Sequence, residues 1–213
     1  MRFFNTRFFS LMAIVFVACF SVACMGPIGT IRQKYPGSSY VRVPETPAPL
    51  SVKDLPSGLS VIYYYYMGGA SSLNSLPKTD ELIKSGASGP PISNLDNQFG
   101  NNEIFQSGAH REMGLEMSGY IKLDKAGTYL FQANTNDGFR LFIDNKLLID
   151  DPDYHSDRLS PESAFNVREP AWYPLKIRYF QRKGTATLQL FWKPPGENKF
   201  SIVPAEVLAH PKS

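Results

Sequence analysis

Between Gly119 and Asp151 the chain alternates apolar and polar residues in short runs, and this period of two leaves few folds open. Ile121 and Leu123, then Tyr129, Phe131 and Ala133, then Phe139, Leu141 and Ile143 fall on every second position, as in strands with one buried face. Lys125-Ala126-Gly127 turns the first run into the second, and Asn136-Asp137-Gly138 turns the second into the third. Asp144-Asn145 suits a two-residue hairpin turn, because both residues tolerate positive φ, and Leu147-Leu148-Ile149 returns.

The flanking sequence extends the pattern. An opening strand runs from Val61 to Tyr66 and holds four consecutive tyrosines, read as half-buried rings with hydroxyls at the rim rather than as a sugar platform. A polar region follows to about Asn102, with a short helix predicted from Thr79 to Ser85, Thr79 as its cap and Gly86 as its stop. The acidic stretch Asp150 to Asp157 reads as an irregular loop of the kind that often carries function. Near the end, Tyr173, Leu175, Ile177 and Tyr179 alternate with polar neighbours and are answered by Ala186, Leu188, Leu190 and Trp192. The pair is predicted to form a long hairpin turned by Arg182-Lys183-Gly184 and ended by Pro194-Pro195-Gly196. With no internal repeat and hardly any helical periodicity, the fold class is all-β, an antiparallel sandwich or barrel.

Several motifs in order carry a family resemblance. Gly119-Tyr120-Ile121, Ala126-Gly127-Thr128-Tyr129-Leu130-Phe131, Asn136-Asp137-Gly138-Phe139-Arg140-Leu141-Phe142-Ile143-Asp144 and Leu147-Leu148-Ile149-Asp150 resemble the centre of a PA14 domain, the module named after anthrax protective antigen. Gly58 to Tyr64 resembles its opening strand, Tyr173 to Tyr179 and Leu188 to Trp192 its last long strands, and Ile202 to Glu206 its closing segment. The resemblance covers residues 58–208 and implies a β-sandwich. One departure is Leu115-Glu116-Met117-Ser118, where family members often carry an aromatic-rich segment.

The N-terminus points to export. Arg2 and Arg7 precede an apolar run from Phe8 to Val22, too short for a comfortable membrane span but suited to a secretory signal. Ser21-Val22-Ala23-Cys24 resembles the bacterial lipobox, in which the cysteine thiol receives a lipid; Ser21 stands where Leu is usual. Residues 1–23 are therefore expected to be a lipoprotein signal peptide and Cys24 the lipidation site. Met25 rather than Asp after the cysteine implies, by the same resemblance, the outer membrane of a diderm bacterium. Residues 24–57 carry Pro27, Pro36, Pro44, Pro47, Pro49 and Pro56 and read as an extended tether. With cleavage before Cys24 a single cysteine remains, so no intramolecular disulfide is expected.

Charge and motifs exclude several functions. Losing Arg2 and Arg7 with the leader lowers the formal net charge from +3 to +1, and no stripe of Lys and Arg interleaved with stacking aromatics appears, so nucleic acid is not an expected partner. His155-Ser156-Asp157 is no catalytic triad, because sequence neighbours cannot face one another in the required geometry. No phosphate-cradling loop is present, and enzymatic activity is not expected.

The PA14 resemblance implies a sharper site. Sugar-binding members hold calcium with an Asp-Asp pair, at the place filled here by Asn136-Asp137, and add an Asn ligand where Gln181 aligns. Asn136, Asp137 and Gln181 are thus the candidate ligand-binding residues, Asp137 the candidate metal ligand and calcium the implied ion. Asn136 contributes no charge, and Arg182 and Lys183 would repel a cation, so a weakened calcium site is expected. Without any ligand role, Asn136-Asp137-Gly138 reads as a turn requiring positive φ. Two functions follow: a lipid-anchored domain that binds a glycan or surface polysaccharide, or a structural or protein-interaction module of an envelope complex whose metal loop is degenerate.

Overall fold

The computed structural model describes residues 55–65 and 69–212. The signal segment, Cys24, nearly all of the tether and Tyr66 lie outside these residues. Among the described residues thirteen strands form the domain: β1 (Leu59–Tyr65), β2 (Ala87–Ile92), β3 (Asp96–Gly100), β4 (Met113–Leu123), β5 (Gly127–Asn136), β6 (Phe139–Ile143), β7 (Lys146–Asp151), β8 (Arg158–Leu159), β9 (Ser163–Val167), β10 (Ala171–Gln181), β11 (Ala186–Lys193), β12 (Ser201–Ile202) and β13 (Leu208–Ala209). One sheet has the order β2-β1-β4-β10-β6-β7, with β13 also on β4; the other has β12-β11-β5-β8, with β3 on β11 and β9 on β5. Every pairing is antiparallel.

Register explains the core. In the first sheet Tyr63, Leu115, Tyr179 and Phe139 lie opposite one another across four strands, as do Val61, Met117, Ile177 and Leu141 in the next inward-facing row. All eight are buried. In the second sheet Tyr129, Phe131 and Ala133 share an inward face with Leu188, Leu190 and Trp192, and these also are buried. Alternation therefore sorts the side chains as the sequence predicts, into two apolar faces pressed together.

The Asp144-Asn145 turn has φ of 52° and 60°, and it joins the paired strands β6 and β7 in a true hairpin. The predicted final hairpin is different. β10 pairs with β4 and β6, whereas β11 pairs with β5, β3 and β12, so the turn at 182–185 carries the chain from one sheet to the other. The connections from β4 to β5 and from β5 to β6 cross in the same way. Alternation tells which residues face inward, and it carries no information about which sheet a strand joins.

Strands β2, β3, β8 and β9 were not expected. β2 and β3 lie in the region read as polar and irregular, and β2 contains Pro90 and Pro91. Proline is tolerated there because β2 pairs only with β1, at the sheet edge. Among the described tyrosines of this run, Tyr63 and Tyr64 sit deeper than expected and are buried, while Tyr65 is exposed at its strand end.

The helix runs from Thr79 to Ser85 as predicted, but Lys78 holds the cap position and no side chain caps it. Thr79 directs its hydroxyl to Glu116 on the sheet beneath. There a row of Glu116, Arg178, Arg140 and Asp150 crosses β4, β10, β6 and β7 on the face away from the core. Arg178 Nη2 donates to the Pro77 carbonyl at 3.1 Å and Arg140 Nη2 to Asn74 Oδ1 at 2.6 Å, so this charged row fastens segment 73–85 over the sheet. Burial pushes the Glu116 carboxyl above the usual carboxylate range, with Lys176, Thr79 and Arg178 opposing it.

Candidate functional site

The crossings between sheets bring three connections to one end of the sandwich: the β5–β6 step at Asn136-Asp137-Gly138, the loop 152–157 after β7, and the β10–β11 turn at 182–185. A fourth segment joins them, because Tyr154 N donates to Ser71 O at 2.7 Å and Leu73 N to Pro152 O at 2.8 Å.

Asp137 is the centre of this end. Its side chain is fully buried, Oδ2 accepts the Arg182 backbone N–H at 2.7 Å and Oδ1 accepts the His155 backbone N–H at 3.2 Å. One carboxylate thus ties the β5–β6 step to both neighbouring loops. Burial raises the Asp137 carboxyl above its ordinary value, although the two N–H donors and the nearby His155 and Arg182 side chains pull the other way. The Asn136–Asp137 peptide bond is cis.

Gly138 follows for a reason other than the expected positive φ. It is not among the positive-φ residues; instead, a Cβ there would lie 2.3 Å from the Pro152 carbonyl oxygen and 2.4 Å from the Phe180 ring. The turn needs glycine because the chain passes against two neighbours at once.

Asn136 and Gln181 join Asp137 at this end, each with its side-chain amide N–H groups engaged. Asn136 Nδ2 donates to Asp157 Oδ1 at 2.8 Å and to Thr185 Oγ1 at 3.3 Å, and its carbonyl accepts the Tyr179 hydroxyl at 2.5 Å. Gln181 Nε2 donates to the Lys183 carbonyl at 3.0 Å and the Thr185 carbonyl at 2.9 Å, while its Oε1 accepts from the Tyr179 hydroxyl at 3.1 Å. Gln181 therefore braces the β10–β11 turn from inside.

These three side chains bring fewer oxygens than a calcium ion takes. Such an ion takes six to eight oxygens, several of them charged. Here the Asn136 amide presents its N–H donor to Asp157, Gln181 presents its donor to the turn carbonyls, and both Asp137 oxygens receive backbone N–H groups. Among the described residues no group of three or more His, Cys, Asp and Glu side chains is gathered as a metal site.

The outer surface of this end carries a residue that the sequence reading did not single out. Tyr154 is 41% exposed, with the Arg182 guanidinium 4.9 Å and the Lys183 ammonium 5.8 Å from its ring centre. Its signal was available in the sequence as the lone aromatic of an acidic loop. Asp157, three residues further along the same loop, also accepts from Thr187 Oγ1 at 2.9 Å.

Comparison with known proteins agrees with this architecture. The model of the PA14 domain family matches residues 58–206. Anti-sigma-I factor RsgI3 of Acetivibrio thermocellus is 27% identical over 119 residues, 54% of this chain and 17% of that protein, so the chain spans under a fifth of this relative's length. The PA14 domain of the antifreeze protein MpAFP superposes with a TM-score of 0.58 at 15% identity, covering 78% of this chain and 96% of that one. The epithelial adhesin 9 A domain of Candida glabrata, in complex with Galβ1-3GlcNAc, gives a TM-score of 0.55 at 14% identity over 73% of this chain and 89% of that one. At such identities the structural likeness shows the fold.

Proposed function

This chain belongs to the PA14 domain family, and on that basis we propose that it is an export-anchored carbohydrate-binding domain. It takes glycans on the loop end around Tyr154, without catalysis and without calcium. The observation that carries this reading is Tyr154, an exposed ring on a fixed base: its backbone N–H is bonded to Ser71, and its neighbour His155 is held by buried Asp137. An aromatic face suits the C–H face of a sugar ring, and Thr185 and Asp157 stand at the same end as hydroxyl partners. The galactoside complex of the adhesin neighbour supports the class of ligand. The engaged donors of Asn136 and Gln181 support a site that works through its own side chains.

A glycan array probed with the full chain and with Tyr154→Ala tests this. Wild type is expected to mark a defined set of glycans, and Tyr154→Ala to bind them about tenfold more weakly, ~1.4 kcal/mol. Silence of the wild type across the array, or an unchanged profile in Tyr154→Ala, would count against it.

The second reading is a protein-interaction module of an envelope complex. The match to an anti-sigma factor favours it, as do Leu147 and Leu159, 46% and 58% exposed on the edge strands β7 and β8. An array-silent chain that loses a cross-linked protein partner on Leu159→Lys would support this reading instead.

The anchor belongs to the same proposal. Cys24→Ser is expected to abolish incorporation of a palmitate analogue and to move the protein out of the membrane fraction. Unlabelled wild type, fractionating with membranes as the variant does, would contradict the anchor.

A further inference from the structure

A groove opens along the side of the sandwich, and it shares no residue with the cluster around Asp137 and Tyr154. β2 is the edge of the first sheet, and among the described residues β3 pairs with β11 alone in the second. The groove between these two edges holds about 300 Å³, at the lower end of the roughly 300–1,000 Å³ that small-molecule sites occupy.

The sequence makes room for it. Alternation along β2 and β3 would place apolar side chains on the inward rows, yet position 89, opposite Val61, is glycine and position 97, opposite Leu188, is asparagine. A Cβ on Gly89 would lie 2.3 Å from the Tyr63 ring, so glycine lets that buried ring spread beneath the groove as its floor. Asn97 puts an amide where the apolar row would otherwise continue. On the wall, Phe105 has a φ of 50°, a conformation that strains a bulky residue and persists where its surroundings fix it. The Phe99 ring meets it edge-on with centres 4.8 Å apart, and the adjoining Ile104 N–H donates to the Ala109 carbonyl at 2.9 Å. The Phe105 ring is therefore preset, which lowers the ordering cost of binding.

The lining selects a ligand by what it lacks and what it offers. No Asp, Glu, Lys, Arg or His lines the groove, so a charged ligand would give up hydration and gain no counter-charge. Pro90 and Pro91 remove two consecutive N–H groups from the β2 edge, so a peptide cannot pair there as a further strand. The polar groups are amides with complementary halves open. Asn94 Oδ1 accepts the Asp96 N–H at 2.9 Å, which leaves the Asn94 amide N–H groups as donors. Asn97 Nδ2 donates to the Asn94 carbonyl at 2.8 Å, which leaves Asn97 Oδ1 as an acceptor. Gln106, exposed at the rim, offers both. A purely apolar ligand would cover these amides without pairing them. A sugar hydroxyl both donates and accepts, and the C–H face of the same ring suits Phe105 and the prolines. We propose that this groove is a second carbohydrate site, which holds one unit of a neutral saccharide between the edges of the two sheets.

Nuclear magnetic resonance of the full chain, labelled with nitrogen-15, reads the groove and the loop end in one titration. The probes are the neutral hexasaccharides of β-1,4-linked glucose, xylose and galactose, with an oligogalacturonate as the charged control and an oligoproline as the peptide control. At least one neutral probe is expected to shift the side-chain amides of Asn94, Asn97 and Gln106, with an affinity about tenfold above that of either control. Gln106→Ala should weaken this binding about fivefold, the order of one hydrogen bond, and Asn97→Leu, which restores the apolar row, about tenfold. Gln106 is exposed, so its variant keeps the fold even if Asn97→Leu should not, and an unchanged melting temperature checks both. Tyr154→Ala should leave the groove shifts as they are.

Shifts confined to the loop end, or groove shifts that neither variant weakens, would overturn the groove site and leave the reading at Tyr154 standing. Groove shifts with none at the loop end would support the groove and count against Tyr154. A response of the groove to a control alone would overturn the neutral saccharide, and silence at both places would count against both sites.

Discussion

Phe131→Asp is expected to leave the domain without a cooperative unfolding transition. Phe131 has no exposed surface, lies opposite Trp192 in register and stacks on Tyr129 with ring centres 6.4 Å apart. Removing such a ring alone costs about 3–5 kcal/mol. Placing a carboxylate in the apolar cluster to which Phe131 belongs adds several more, because the charge loses its hydration there. The sum reaches the roughly 5–15 kcal/mol that separates a folded domain from its unfolded chain. Urea denaturation followed by near-ultraviolet circular dichroism would show it, with Phe131→Leu as the tolerated control. A sigmoidal transition in Phe131→Asp at wild-type urea would contradict this account of the core.

The second large effect is expected at Asp137. In Asp137→Ala the backbone N–H groups of His155 and Arg182 lose a charged acceptor while remaining inside the loop end, so the variant should be less stable by about 3 kcal/mol. The loss should be the same in calcium and in EDTA, because the carboxylate serves the chain itself. A pH dependence follows from its raised folded value. The native state holds this proton more tightly than the unfolded chain, so the stability Asp137 contributes is greatest below the ordinary carboxylate range. It declines as pH rises through the raised value. The gap between wild type and Asp137→Ala should therefore narrow from acidic to neutral pH. A loss that appears only in calcium would show instead that the residue acts as a metal ligand.

How far the sequence led can be judged from these same residues. Tyr129, Phe131 and Ala133 announce their inward face because a strand has a period of two and one side of this strand is buried. Asp144-Asn145 announces its hairpin because few residues other than glycine accept two successive positive φ angles. The partners of β10 and β11 were not visible, since crossing to the opposite sheet leaves the alternation unchanged. β2 was hidden by Pro90 and Pro91, which argue against a strand until the edge position is known.

The candidate site was legible in place more than in role. Asn136, Asp137 and Gln181, drawn from two distant stretches, do meet at one end. Their use as internal fasteners depends on which backbone groups come near, and spacing along the chain does not encode that. Tyr154 gains its interest only from Arg182 and Lys183, which reach it through a turn between the two sheets.

The central claim is that this loop end binds glycans through its own side chains, with no metal between protein and sugar. Isothermal titration of the full chain with the strongest oligosaccharide from the array, once in calcium and once in EDTA, addresses it directly. The account predicts the same dissociation constant in both buffers and a tenfold weaker one for Tyr154→Ala. Binding that disappears in EDTA and returns with added calcium would contradict it.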